Sequence, residues 1–222
     1  VFAPCDDTIV RTRRYVPNAR YLKRPHPEWL TPPSMPFVPH SPGKPLRVAV
    51  IGALGPHKGS KLLLQCAKDA LARALPLNFC LVGYSGVDEL ATTPNVQVTG
   101  AYEDGEVFSL LAKLRCQAAL FLSVWPETFS YTLSLAFAAK LYPVAFDIGA
   151  LGERRRDARW GLLLPVSSMQ DPKSINDSLV DLKTRPPPAR NLAPDRAALY
   201  PGGVAAYYDM AAAQPLRKVS SG

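Results

Sequence analysis

The chain has 222 residues and a mass of 24.2 kDa, with 47% apolar and 20% charged residues, which fits one sizeable globular domain with appendages. No stretch approaches about eighteen consecutive apolar residues, which excludes a transmembrane helix within this sequence, and the first basic residues follow rather than precede a short apolar run, so no signal peptide is expected. The net charge of +8 is uneven: residues 1–47 carry +5, residues 48–165 carry +1 and residues 166–222 carry +2.

Eight of the 23 prolines fall between Pro25 and Pro45, and only six in residues 46–165. That pattern predicts a stiff arm, a packed domain and a looser tail. The domain opens with Arg-Val-Ala-Val-Ile over residues 47–51, a β-branched run expected of a buried parallel strand. Gly52 then begins a glycine-rich loop. A helical pattern follows, with Leu62, Leu63, Cys66, Ala70, Leu71 and Ala74 on one face. Strands are predicted at 78–82, 96–99, 118–122 and 144–146, with a further one at 161–164. A short helix is predicted at 106–113, and a helix apolar nearly all round at 129–139. The tail carries helices near 174–183 and 204–213, the latter with Tyr207 and Tyr208. Strands alternating with helices imply βαβ units, hence an α/β fold: a Rossmann-like parallel sheet with helices on both faces. Such sheets bind ligands beyond the carboxyl ends of their strands. The loops after Ile51, Val82, Thr99, Leu122 and Phe146 are therefore the ones to weigh.

The four cysteines, Cys5, Cys66, Cys80 and Cys116, form no C-x-x-C pair and read as reduced thiols of a cytoplasmic protein. His26, His40 and His57 are scattered, and nothing has metal-ligand spacing. A basic arm can meet nucleic acid, an anionic membrane surface or another domain, or remain a solvated linker. The aromatic-interleaved basic motifs of nucleic-acid readers are missing, so nucleic acid is not an expected partner.

Three loops are candidates. The first offers Gly52, Gly55, Lys58 and Gly59: either a diphosphate cradle with Lys58 at a helix start, or a tight turn with a solvated lysine. It lacks the order of a P-loop and of a dinucleotide fingerprint. The second is Trp125-Pro126-Glu127-Thr128-Phe129-Ser130-Tyr131, opening the apolar helix. Its first-turn amides and the Ser130 and Tyr131 hydroxyls suit a phosphate, and Glu127 suits adjacent sugar hydroxyls; alternatively Glu127 or Thr128 only caps the helix. The third runs from Asp147 through Gly149 and Gly152 to Glu153. The arginines behind it, Arg154, Arg155, Arg156 and Arg159, read as a solvated or interdomain helix face.

Taken in order, these segments resemble the C-terminal, nucleotide-sugar-binding domain of the retaining GT-B glycosyltransferases of family four. Val50-Ile51-Gly52-Ala53-Leu54 with Lys58-Gly59 is similar to the family's G-R-L and K-G loop, and residues 79–83 to its x-L-V-G strand. Trp125-Pro126-Glu127-Thr128-Phe129-Ser130 is similar to P-E-x-F-G, and the stretch from Ala138 to Glu153 to the A-G-x-P-V strand and G-G-x-x-E turn. The resemblance covers residues 46–165. It implies transfer of a sugar from a nucleoside diphosphate-sugar to a glycan or lipid-linked acceptor, in bacterial surface-polysaccharide assembly, with no metal and no cofactor.

It assigns catalytic roles to Glu127 and Lys58. Donor contacts fall to Gly52, Gly55, Lys58, Gly83, Tyr102, Glu127, Phe129, Ser130 and Tyr131, with Gly149 and Glu153 as further candidates. Residues 1–24 are then a remnant of an N-terminal domain and 25–45 the interdomain linker. Residues 46–185 are the donor domain, and 186–222 a tail with a crossing helix. The acceptor half is expected to be missing, so this piece alone should bind without turnover. The basic arm would meet that half or the inner face of the membrane. Three positions depart from the family: Ala53 replaces a basic residue, Leu135 the second carboxylate of E-x7-E, and Ser130 a glycine. A competing reading is a non-catalytic module that has lost its donor site.

Overall fold

The computed structural model describes residues 1–27, 33–41, 43–187 and 207. Two short parallel strands, β1 (Phe2–Ala3) and β2 (Leu22–Lys23), flank the helix α1 (Asp6–Arg13). The domain that follows alternates strands with helices. Its strands are β3 (Leu46–Ile51), β4 (Leu77–Val82), β5 (Val96–Val98), β6 (Ala118–Phe121), β7 (Tyr142–Phe146) and β8 (Leu162–Leu164). Its helices are α2 (Ser60–Ala72), α3 (Glu89–Thr92), α4 (Val107–Leu114), α5 (Tyr131–Ala138), α6 (Gly149–Ala158) and α7 (Pro172–Thr184).

The six strands form one parallel sheet in the order β5-β4-β3-β6-β7-β8. The expected α/β class, with helices on both faces, is what the chain adopts. One face packs Leu62, Leu63 and Cys66 of α2 and Ile175 and Leu179 of α7 on Val48, Val50 and Phe79. The other packs Leu111 of α4, Leu133 and Ala136 of α5 and Leu151 of α6 on Ala49, Ile51 and Cys80. Cys66 sits fully buried, and burial pushes its thiol up to about 12.

The strand order reverses direction between β3 and β6. From β3 the chain moves outward through β4 and β5, then returns to the other side of β3 as β6 and proceeds to β7 and β8. Loops leaving β3 and β6 therefore diverge across a crevice, which is where sheets of this kind take ligands.

Two expectations are corrected. The helix expected at 129–139 starts only at Tyr131, because Phe129 and Ser130 are held by tertiary hydrogen bonds and Ser130 adopts a left-handed φ of 68°. The arginine run is only partly the solvated or interdomain face expected: Arg156 and Arg159 are exposed, the other two are not. Arg154 is buried, Arg155 donates to the Gly161 carbonyl at 2.7 Å and Arg156 pairs with Asp147. The terminal helix expected at 204–213 lies outside the described residues except for Tyr207, which is helical and buried. No helix among the described residues is long and apolar enough to cross a membrane.

Candidate functional site

The loop after β3 is a turn of 3-10 helix (Pro56–Lys58) leading into α2 through Gly59. Gly59 has a φ of 85°, and a Cβ there would strike the Leu122 carbonyl oxygen, so this glycine lets the loop lie against the end of β6. The Val124 amide then donates to the His57 carbonyl at 3.0 Å. These two contacts tie the β3 loop to the β6 loop and set Lys58 opposite Glu127.

Together the loops enclose a cavity of about 360 Å³, lined by Lys58 and His57 on one side and residues 125–132 on the other, with His26 at its wall. Lys58 has no ion-pair or hydrogen-bond partner for its ammonium among the described residues. The Ser123 hydroxyl donates to one oxygen of Glu127, which orients the carboxylate. Neither Glu127 nor Thr128 caps α5: no side chain does so. The N–H groups of Tyr131 and Thr132 accordingly face the start of the helix without a partner among the described residues, the arrangement that favours an anion.

The loop from Trp125 to Ser130 is clamped from behind. The Ala150 amide donates to the Glu127 carbonyl at 2.9 Å. A Cβ on Gly149, whose φ is 57°, would stand 2.9 Å from the Cα of Pro126. Arg154, 6% exposed, donates to the carbonyls of Phe129 at 3.0 Å and Ser130 at 2.7 Å and to the Ser134 hydroxyl at 2.8 Å. Its guanidinium carbon sits 4.2 Å from the centre of the Phe129 ring.

A smaller cavity of about 200 Å³ lies along the same sheet edge, lined by Gly52, Ala53, Gly83, Tyr84 and Tyr102 among others. The Gly52 amide donates to the Val82 carbonyl and the Leu54 amide to the Tyr84 carbonyl, both at 2.8 Å. A Cβ on Gly83 would run into the Gly52 carbonyl oxygen. Gly52 and Gly83 are thus a close crossing of two backbones. Burial raises the Tyr102 phenol, with Asp104 adding to it. Leu135 is half-buried and packs among the apolar residues of the α5 face.

The structure brings Lys58, Glu127, Phe129, Ser130 and Tyr131 into one cavity and Gly52, Gly83 and Tyr102 into the next. Gly55 precedes the Lys58 turn, and its carbonyl accepts the Lys58 amide at 3.0 Å. Gly149 buttresses the larger cavity from outside. Glu153 does something else: its two oxygens accept the amides of Asp6 at 2.9 Å and Asp7 at 2.5 Å, capping α1, and it pairs with Lys23 at 3.2 Å. His26 and His57 read as scattered in the sequence, yet both line the Lys58–Glu127 cavity. His26 stacks on Tyr131 with ring centres 6.1 Å apart, and its Nδ1 meets the Tyr207 hydroxyl at 3.1 Å. His57 lies 5.5 Å from the Trp125 ring. The proximity of His57 to Lys58 in sequence could have flagged it; nothing local marks His26. Among the described residues no group of His, Cys, Asp and Glu could hold a metal ion.

The sequence profile of the glycosyl transferases group 1 family matches residues 33–194. Comparison with curated protein sequences returns no match. Among solved structures, a sucrose-phosphate synthase from Thermosynechococcus elongatus superposes with a TM-score of 0.65 at 17% identity, over 89% of this chain and 52% of its own. The lipopolysaccharide outer core galactosyltransferase WaaB gives 0.62 at 17% identity, over 94% and 58%. HepE from Anabaena, in complex with UDP and glucose, gives 0.58 at 18% identity, over 90% and 57%. The chain thus spans little more than half the length of these three proteins, and at such identity the likeness is one of fold.

Proposed function

Because this chain belongs to the glycosyl transferases group 1 family, we propose that its crevice between the β3 and β6 loops is the donor half of a retaining glycosyltransferase of family four. The observation that carries the reading is the single cavity joining Lys58, Glu127 and the open amino end of α5 at the reversal point of the strand order. A nucleoside diphosphate-sugar is what these groups complement. Lys58 acts as a point charge on the diphosphate, which is the leaving group, and so stabilises charge that grows as the glycosidic bond breaks. The amides of Tyr131 and Thr132 and the Ser130 hydroxyl hold the phosphate next to the sugar. Glu127, held by Ser123, accepts hydrogen bonds from sugar hydroxyls and so fixes the anomeric carbon. The base and ribose extend toward Gly52, Gly83 and Tyr102. That HepE was solved with UDP and glucose supports this choice of ligand.

In the whole protein the acceptor is a glycan or lipid-linked chain presented by a facing domain, with surface-polysaccharide assembly as the setting.

Two positions favour a second reading, a binding module without transferase activity. Ala53 offers no charge in the smaller cavity, and Leu135, half-buried against the apolar cluster, stands at the position that the resemblance gives to a ribose-binding carboxylate. Each missing charge-assisted contact is worth about 1.5–3 kcal/mol.

Calorimetric titration with UDP, GDP, ADP and dTDP tests the donor site. One of them binds, and Lys58→Ala weakens it at least about tenfold, the loss of one charge-assisted contact. No binding of any of the four in the millimolar range would leave the second reading standing, and equal binding by Lys58→Ala would remove that residue from the site.

A further inference from the structure

We propose that the amino-terminal end of the sheet carries a second anion site, lined by Lys44, Arg47, Lys113 and Arg115 and built to hold a phosphate or diphosphate group. The strands β3 and β4 and the approach to β6 begin at this end, opposite the donor loops. Arm residues Val38, Pro39, Ser41, Lys44 and Pro45 line one side of a cavity of about 320 Å³ there, within the range of small-molecule sites.

Its lining is one-sided. Besides the four cations it presents two side-chain amides, Asn78 and Gln117, and no carboxylate among the described residues. Lys44, Lys113 and Arg115 have no ion pair or side-chain hydrogen bond among the described residues. Several cations elsewhere among the described residues are paired, as in Arg11 with Asp7, Lys68 with Glu89, Arg73 with Asp69 and Lys173 with Asp177.

Arg47 is placed rather than free. Its Nη2 donates to Gln97 Oε1 at 3.2 Å and to the Cys80 sulfur at 3.5 Å, while its Nε is buried with no partner. Gln117 Oε1 accepts the Arg47 amide at 2.8 Å, which leaves the Gln117 amide nitrogen without a partner among the described residues. The cavity therefore offers donors and positive charge with no opposing charge.

The carboxyl end of the α4 dipole accounts for Lys113 and Arg115 in part, since cations are favoured there. It does not account for Lys44 or Arg47, which come from the arm and from β3. Lys44, Lys113 and Arg115 around one concavity, with the Arg47 guanidinium held beside it by Gln97 and Cys80, focus a positive potential there. Phosphate is the complement of such a lining: it is multiply charged, it only accepts hydrogen bonds, and guanidinium groups meet it with paired donors. The same chemistry serves a soluble phosphate ester and the phosphate of a lipid headgroup. The proposal does not depend on the donor reading.

The test uses the whole chain in two arms. Inorganic pyrophosphate is titrated into the parent, into Lys58→Ala and into the double variant Lys113→Ala/Arg115→Ala. Both side chains of the double variant are exposed, and an unchanged unfolding midpoint verifies its fold. In parallel, vesicles of phosphatidylcholine with and without phosphatidylglycerol are sedimented with the same proteins. The expected result is binding that survives Lys58→Ala and weakens at least about tenfold in the double variant, more so at low salt. Loss in the pyrophosphate arm assigns a soluble ligand, and loss only in the phosphatidylglycerol arm assigns a lipid headgroup. No binding in either arm, or binding that the double variant retains in full, would overturn the site.

Discussion

Arg154 donates to the carbonyl of Ser130 at 2.7 Å from within the core. Ser130 is the residue at which the chain turns into α5. A buried guanidinium from α6 therefore holds the backbone that presents the α5 amides to the cavity. The same guanidinium covers the Phe129 ring and reaches the Ser134 hydroxyl.

Replacing Arg154 leaves buried acceptors unpaired. Arg154→Ala is expected to cost about 3 kcal/mol of stability, in the range seen when a buried polar network is broken. Arg154→Lys recovers only part of it, because an ammonium cannot reach several acceptors as a planar fork does. Urea unfolding measures both. A cost below about 0.5 kcal/mol for the alanine variant, as at an ordinary surface position, would mean that the clamp does not support the loop.

Ser130 carries a backbone penalty, having a φ of 68° without being glycine. Among the described residues its hydroxyl makes one long contact, 3.3 Å to Thr132 Oγ1. Ser130→Gly is expected to raise stability by about 1 kcal/mol through relief of the left-handed conformation. Nucleotide affinity should fall at the same time if the hydroxyl contacts the phosphate. Denaturation midpoints with parallel titrations separate the two effects, and a destabilised Ser130→Gly would refute the strain argument.

Burial lowers His26 below its ordinary value of 6.5. The native state thus prefers neutral imidazole, and the unfolded chain takes up a proton first as the pH falls. Stability contributed by neutral His26 is present above about pH 6.5 and declines below it, by at most about 1.4 kcal/mol per pH unit for one group. His40, also lowered by burial with Lys183 adding to it, acts in the same direction. His26→Gln should flatten the pH dependence of unfolding between pH 7 and pH 5. An unchanged slope in that variant would assign the acid sensitivity elsewhere.

Much of this architecture is legible in the sequence, for reasons of period and burial. β3 and β4 are continuous apolar runs because both faces of the sheet are covered, and such runs stand out between polar helices. The glycines at 52, 59 and 83 are visible as loop markers, and the structure supplies the backbone crossings behind them. What is not legible is non-local. Arg154 belongs to a run of arginines of identical type, and only the rotation of α6 against the sheet decides that this one is buried. Glu153 caps a helix 147 and 146 residues away in the chain, at Asp6 and Asp7. His26 enters the cavity from a proline-rich arm with no periodicity to place it. Phe129 and Ser130 match a helical pattern, yet tertiary hydrogen bonds overrule local propensity there.

In the proposed donor site Lys58 and Glu127 serve different parts of one ligand: the diphosphate and the sugar. Calorimetry comparing a nucleoside diphosphate with its sugar conjugate, on the parent, Lys58→Ala and Glu127→Gln, tests it directly. The account predicts that Lys58→Ala weakens both ligands at least about tenfold, while Glu127→Gln weakens only the sugar conjugate, by about tenfold for the loss of a charged acceptor. Equal weakening of both ligands by Glu127→Gln, or no weakening of either, would contradict it.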